Sequence, residues 1–91
     1  MWVRFFASLR TITGCAETDL PYRETAGALA RCLCDRYGEA LREKFYPTKD
    51  ENFGPEIMFL INGRHVNHLD GPATLLNPDD KVDVFPVVAG G

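Results

Sequence analysis

A single helix-length apolar stripe, between Thr25 and Gly38, stands between alternating, strand-like segments on both sides, and that arrangement leaves few folds open. Within it Leu29, Cys32, Leu33 and Tyr37 recur at three- and four-residue spacing, while Arg31, Asp35 and Arg36 fall largely elsewhere, so one stripe packs inward. Thr25 offers an N-cap hydroxyl and Gly38 a terminator, after which Ala40, Leu41, Lys44 and Phe45 permit another turn or two. Upstream, Trp2 to Leu9 alternates, with Val3, Phe5, Ala7 and Leu9 on one face and Trp2, Arg4, Phe6 and Ser8 on the other. Thr11 to Gly14 reads as a turn, and Cys15 to Tyr22 as a second strand with Ala16, Thr18 and Leu20 on a common face, completing an N-terminal hairpin that Pro21 keeps short.

Downstream, Pro47 to Pro55 is a polar loop, expected to be the most mobile segment. Glu56 to Ile61 is almost wholly apolar and short, the pattern of a strand buried on both faces. Asn62-Gly63 then predicts a tight hairpin turn, because both residue types tolerate positive φ, and Arg64 to Asn67 returns as a short strand. His68 to Asn77 is irregular, with Leu69, Leu75 and Leu76 as core plugs; Asn77-Pro78-Asp79-Asp80 turns the chain into a last strand, Lys81 to Val87. The order is that of an α+β domain in which one main helix lies across one face of a mixed sheet. With 91 residues and 10.2 kDa, residues 1–91 form one domain with no room for a separate catalytic lobe.

Composition narrows the function. The apolar fraction of 45% and charged fraction of 25% are those of a globular domain with a packed core. No stretch approaches the roughly 20 apolar residues of a membrane span, and Met1 to Phe6 lacks the layout of a signal peptide, so a cytoplasmic location is expected. A net charge of −3 argues against a nucleic-acid binder, whose affinity rests on a basic face. Cys15, Cys32 and Cys34 read as reduced packing thiols, because no second ligand pair accompanies them for zinc, and no metal site is expected. His65 and His68 read as exposed hairpin residues, and Asp79-Asp80 as turn residues beside Pro78.

The chemistry concentrates at the C-terminal stretch Phe85-Pro86-Val87-Val88-Ala89-Gly90-Gly91. Lacking Cβ atoms, Gly90 and Gly91 pass through a channel too narrow for other residues and leave a carboxylate open to attack an electrophile such as the α-phosphate of ATP. Extended, the tail 87–91 reaches about 17 Å, enough to enter a neighbour's active site. On the first strand Phe6 shares a face with Arg4, and on the last Phe85 shares one with Lys81 and Asp83, while Val82 and Val84 point to the core. If these strands are neighbours, Phe6 and Phe85 form an aromatic docking patch beside the tail.

Phe5 to Arg10, Thr25 with its helix, Asn62-Gly63, and above all Leu76 to Gly91, in which a strand runs into Phe-Pro and a short apolar tail, resemble the ubiquitin-like β-grasp sulfur carriers, most closely the MoaD family. The resemblance implies a flexible Gly-Gly tail and a protein with no catalytic residues and no bound cofactor of its own. It implies three partners: a MoeB-like adenylyltransferase that spends ATP on the Gly91 carboxylate, a sulfur donor such as a cysteine desulfurase, and a MoaE-like large subunit in a heterotetramer. It also implies a Gly91 thiocarboxylate that donates sulfur to a cyclic pyranopterin in molybdenum or tungsten cofactor synthesis. By the same resemblance Phe6, Phe85, Pro86, Val87, Val88 and Ala89 meet the partners, and His65 stands where an apolar contact residue is usual. Two alternatives stay open: a ubiquitin-like protein modifier, or a ThiS-type carrier for another pathway. A third reading, from another class, is a pure interaction domain whose tail has no role.

Overall fold

A computed structural model describes residues 1–87 of the chain. Five strands form one sheet in the order β2-β1-β5-β3-β4, with β1 Trp2–Phe5, β2 Glu17–Asp19, β3 Ile57–Ile61, β4 Arg64–His65 and β5 Val82–Pro86. The central pair, β1 and β5, is parallel, and the remaining pairs are antiparallel. Such a parallel pair needs a long crossover, and the segment between β1 and β5 supplies it, carrying the helix α2 Ala26–Tyr37 onto one face of the sheet. Val3, Phe5, Phe59, Val84, Leu29 and Leu33 are all fully buried between helix and sheet.

The helix starts as expected: the Thr25 hydroxyl accepts from the Ala28 N–H at 3.1 Å, satisfying one of the first-turn donors. It ends at Gly38, whose N–H donates to Cys34 O at 2.8 Å, and a second helix, α3 Glu39–Phe45, follows directly. The Asn62-Gly63 turn also forms, with φ of 51° and 85° at the two residues. The Pro47 to Pro55 loop is tied down at its C-terminal end: Gly54 N–H donates to Phe45 O at 2.7 Å, and Phe53 packs against the core. A Cβ on Gly54 would come within 2.5 Å of the Pro47 ring, so the loop closes only with glycine there.

Four expectations need correction. The first strand ends at Phe5, because Ala7 takes φ of +51° and turns the chain into a short helix, α1 Leu9–Thr13. Leu9 is therefore buried as expected but reached through a helical turn, whereas Ala7 is exposed. The second strand shrinks to Glu17–Asp19, and its supposed common face divides: Ala16 is exposed, Thr18 half-buried and Leu20 buried. Arg64–His65 is followed by a 3-10 turn, Val66–His68, instead of continuing as strand. Leu75 is 75% exposed, because an antiparallel bridge to Thr25 sets the alternation so that Thr74 and Leu76 face inward.

Candidate partner-docking face

On a sheet covered on one side only, every second residue of each strand faces away from the helix. The pairing register brings those residues into rows. Arg4 is level with Asp83, Asp83 with Leu60, and Leu60 with His65, so one row runs from polar residues on β1 to an imidazole on β4. In the next row Phe85 lies opposite Met58, and Phe6, just beyond the end of β1, stacks on Phe85 with ring centroids 4.1 Å apart and planes 8° from parallel. The result is a half-buried apolar surface made by Phe6, Phe85, Met58 and Leu60, bordered by charge.

Backbone and cations hold the stacked pair in place. Phe6 N–H donates to Val84 O at 3.1 Å, a last ladder bond before the chain turns away. Arg4 and Arg10 place their guanidinium carbons 5.4 and 5.7 Å from the Phe6 centroid, within the range at which a ring's negative face attracts a cation. Arg4 is itself fixed by a two-pronged contact with Asp83, at 2.7 and 3.0 Å, and this hydrogen-bonded carboxylate raises its pKa above the ordinary value. Arg10 donates its Nε–H to Phe5 O at 3.0 Å. At the other end of the face, His65 Nδ1 accepts the Asn67 N–H at 3.1 Å, with the His68 ring centroid 6.1 Å away. Burial, and then the neighbouring His68, hold the His65 pKa below its usual 6.5.

The open side of the sheet therefore brings Phe6 and Phe85 together and carries His65 at its β4 edge. Pro86 closes β5 opposite Ile57, and exposed Val87 donates its N–H to Glu56 O at 2.8 Å. Val88, Ala89, Gly90 and Gly91 lie outside the described residues. Two residues of the face were hidden in the sequence. Met58 and Leu60 sit in a strand whose unbroken apolar run reads as buried on both sides, yet Ile57, Phe59 and Ile61 face the helix while Met58 and Leu60 are half-exposed. The pairing of their strand with the Phe85 strand is the signal that exposes them. Cys34, by contrast, is fully buried in α2, where desolvation pushes its thiol up to about 11, so it is a packing residue.

Known proteins share this chain's features. The ThiS family model matches residues 3–91. Small archaeal modifier protein 3 of Haloferax volcanii is 39% identical, over 98% of this chain and 96% of that one. The solution structure of small archaeal modifier protein 1 from Methanosarcina acetivorans superposes with a TM-score of 0.85 at 34% identity, covering 99% of this chain and 94% of that one. A putative molybdopterin converting factor subunit 1 from Pyrococcus furiosus superposes with a TM-score of 0.70 at 29% identity, covering 96% and 95% of the two chains. With a family match over almost its full length and a ubiquitin-like sheet to go with it, the chain belongs to the ThiS family of β-grasp proteins.

Proposed function

We propose that this protein is a sulfur carrier, the small subunit of a molybdopterin synthase, whose reacting group is the carboxylate of Gly91. The observation that carries this reading is the stacked Phe6–Phe85 pair at the end of β5, the strand that leads into the Gly-Gly sequence. A docking patch there holds an enzyme beside the point from which the reacting residues extend. A carboxylate has no adequate leaving group, so activation comes first: one Gly91 oxygen attacks the α-phosphorus of ATP, pyrophosphate leaves, and an acyl adenylate forms. The outer sulfur of the cysteine persulfide on a cysteine desulfurase-type donor then attacks the acyl carbon and expels AMP, and a thiol cleaves the resulting acyl disulfide, leaving a thiocarboxylate on Gly91 and a disulfide between the thiol and the donor cysteine. The thiocarboxylate sulfur, softer and more nucleophilic than carboxylate oxygen, attacks a carbon of a cyclic pyranopterin bound by a MoaE-like large subunit and displaces an oxygen leaving group from it; water then hydrolyses the thioester, leaving the sulfur on the pterin and Gly91 as a carboxylate. The adenylyltransferase is of the MoeB-like, ubiquitin-activating type. The carrier itself contributes a docking face and a carboxylate, and holds no cofactor.

A second reading has its own support, the 39% identity to a small archaeal modifier protein: after the same adenylation, a lysine amine of another protein attacks the Gly91 acyl carbon, expels AMP, loses a proton and forms an amide. Intact mass spectrometry separates the two. After incubation with ATP, a sulfur donor and the host's adenylyltransferase, a mass gain equal to one oxygen replaced by sulfur, mapped to Gly91, is the expected result. Adducts on lysines of other proteins with no such gain favour the modifier, and deletion of Gly90 and Gly91 abolishes either product while the thermal unfolding transition stays in place.

A further inference from the structure

His65 stands at the β4 edge of the open face, beside the apolar residues Leu60 and Met58 of β3, and its geometry sets what it can do there. It lies directly across from Leu60, and its row continues through Leu60 to Asp83 and Arg4. Its Nδ1 is already an acceptor, taking the Asn67 N–H at 3.1 Å and so capping the 3-10 turn Val66–His68. A ring nitrogen that accepts carries no proton. In a neutral imidazole the proton then resides on Nε2, which has no acceptor among the described residues. The lowered pKa keeps the ring neutral near pH 7, in agreement with that tautomer. Few other charges bear on it: Arg64 is its chain neighbour, His68 the nearest titratable ring, and Asp83, beyond Leu60, is engaged by Arg4.

We propose that His65 determines specificity on this face, its Nε2–H donating to an acceptor oxygen, carboxylate or carbonyl, that the docked adenylyltransferase presents opposite β4. This rests on the docking role assigned to the face. An enzyme offering only apolar groups at that point would bury the N–H without a partner, which disfavours it relative to one that supplies an oxygen. The carrier thus selects its enzyme by a directional contact at the margin of a non-directional apolar patch.

Two functions of one ring separate by substitution. His65→Asn keeps an acceptor near the Nδ1 position for the Asn67 N–H but has no donor at Nε2; His65→Gln places an amide N–H near Nε2 without the cap; His65→Leu removes both. Affinity for the host's adenylyltransferase, measured by calorimetry, is expected to fall about 5- to 10-fold for His65→Leu and His65→Asn, the worth of one hydrogen bond, and to stay within about threefold for His65→Gln. Growth of the wild-type advantage over His65→Leu on acidification, as an imidazolium gains charge attraction, marks the acceptor as a carboxylate, and an advantage that does not grow marks it as a carbonyl. His65→Leu binding as tightly as wild type, or His65→Gln failing as fully as His65→Leu, overturns the proposal. Phe85→Ala serves as the control: if it weakens binding while His65→Leu does not, only the donor assignment falls, and if Phe85→Ala has no effect, the docking role of the face falls first. The thermal midpoint of each variant confirms that the comparison is between folded proteins.

Discussion

The two faces of the sheet are built by the same strands and by similar residues, yet they have different fates. Under α2, Val3, Phe5, Phe59 and Val84 are fully buried, and the aromatic cluster extends through Phe45 and Phe53 with centroids 5.2 Å apart. On the open side, Phe6, Phe85, Met58 and Leu60 keep part of their surface in water. Full burial of such a side chain stabilises by roughly 1.5 to 3 kcal/mol, so the open face retains part of that free energy for a partner to realise. Apolar content does not distinguish a core from a docking surface; the position of the covering element does.

The sharpest way to break this comparison is to truncate one phenylalanine on each face. Phe59→Ala should cost about 3 to 5 kcal/mol, a large share of a small domain's stability, in equilibrium urea unfolding. Phe85→Ala should cost less, about 1 to 3 kcal/mol, the aromatic pair together with the partial burial of one ring. Equal losses would make the two faces one core. The helix offers a second contrast at the level of thiols. Cys34 is buried with its pKa at about 11, whereas Cys32, two positions along, is partly exposed beside Arg23. Thiolate fraction alone then slows alkylation of Cys34 in the folded protein by about a hundredfold relative to an ordinary thiol, and mass mapping after a short iodoacetamide pulse should find Cys32 labelled and Cys34 spared until the chain is unfolded.

Binding reads the open face directly. Phe85→Ala should weaken affinity for the adenylyltransferase by about 10- to 100-fold, the effect of removing an interface anchor, in the same calorimetric titration used for His65. The smallest effect is a pH dependence. Because burial and His68 hold the His65 pKa below 6.5, the unfolded chain binds a proton more readily than the folded one. Stability associated with this ring is present above pH 6.5 and is lost as pH falls through the folded-state value. Between pH 7.5 and 5 the urea midpoint of wild type should fall more steeply than that of His65→Asn, which lacks the titrating ring; identical profiles would remove His65 from the titrating groups that matter.

Much of the fold could be read from local pattern. Thr25 as N-cap, Gly38 as terminator, the Asn62-Gly63 turn and the inward Val82 and Val84 all rest on interactions within a few residues, and each stands where expected. The Phe6–Phe85 pair was accessible too, once the first and last strands were taken as neighbours. Other features were beyond that reach. An alternating pattern continues through Ala7 and Leu9, and nothing local announces that Ala7 adopts a left-handed φ of 51° and starts a helical turn. Leu75 is as apolar as Leu76, and only its bridge to Thr25 turns it outward.

By itself, then, the amino-acid order determined where a helix must form, where the chain must turn and which side chains share a strand face, because backbone sterics, capping and period-two alternation act over a few residues. The tertiary structure alone decided which face of β3 is covered. Met58 and Leu60 became surface and Phe59 became core through the placement of α2, an element about twenty residues away in sequence, and burial is a property of what lies above a residue, which alternation along a strand does not encode.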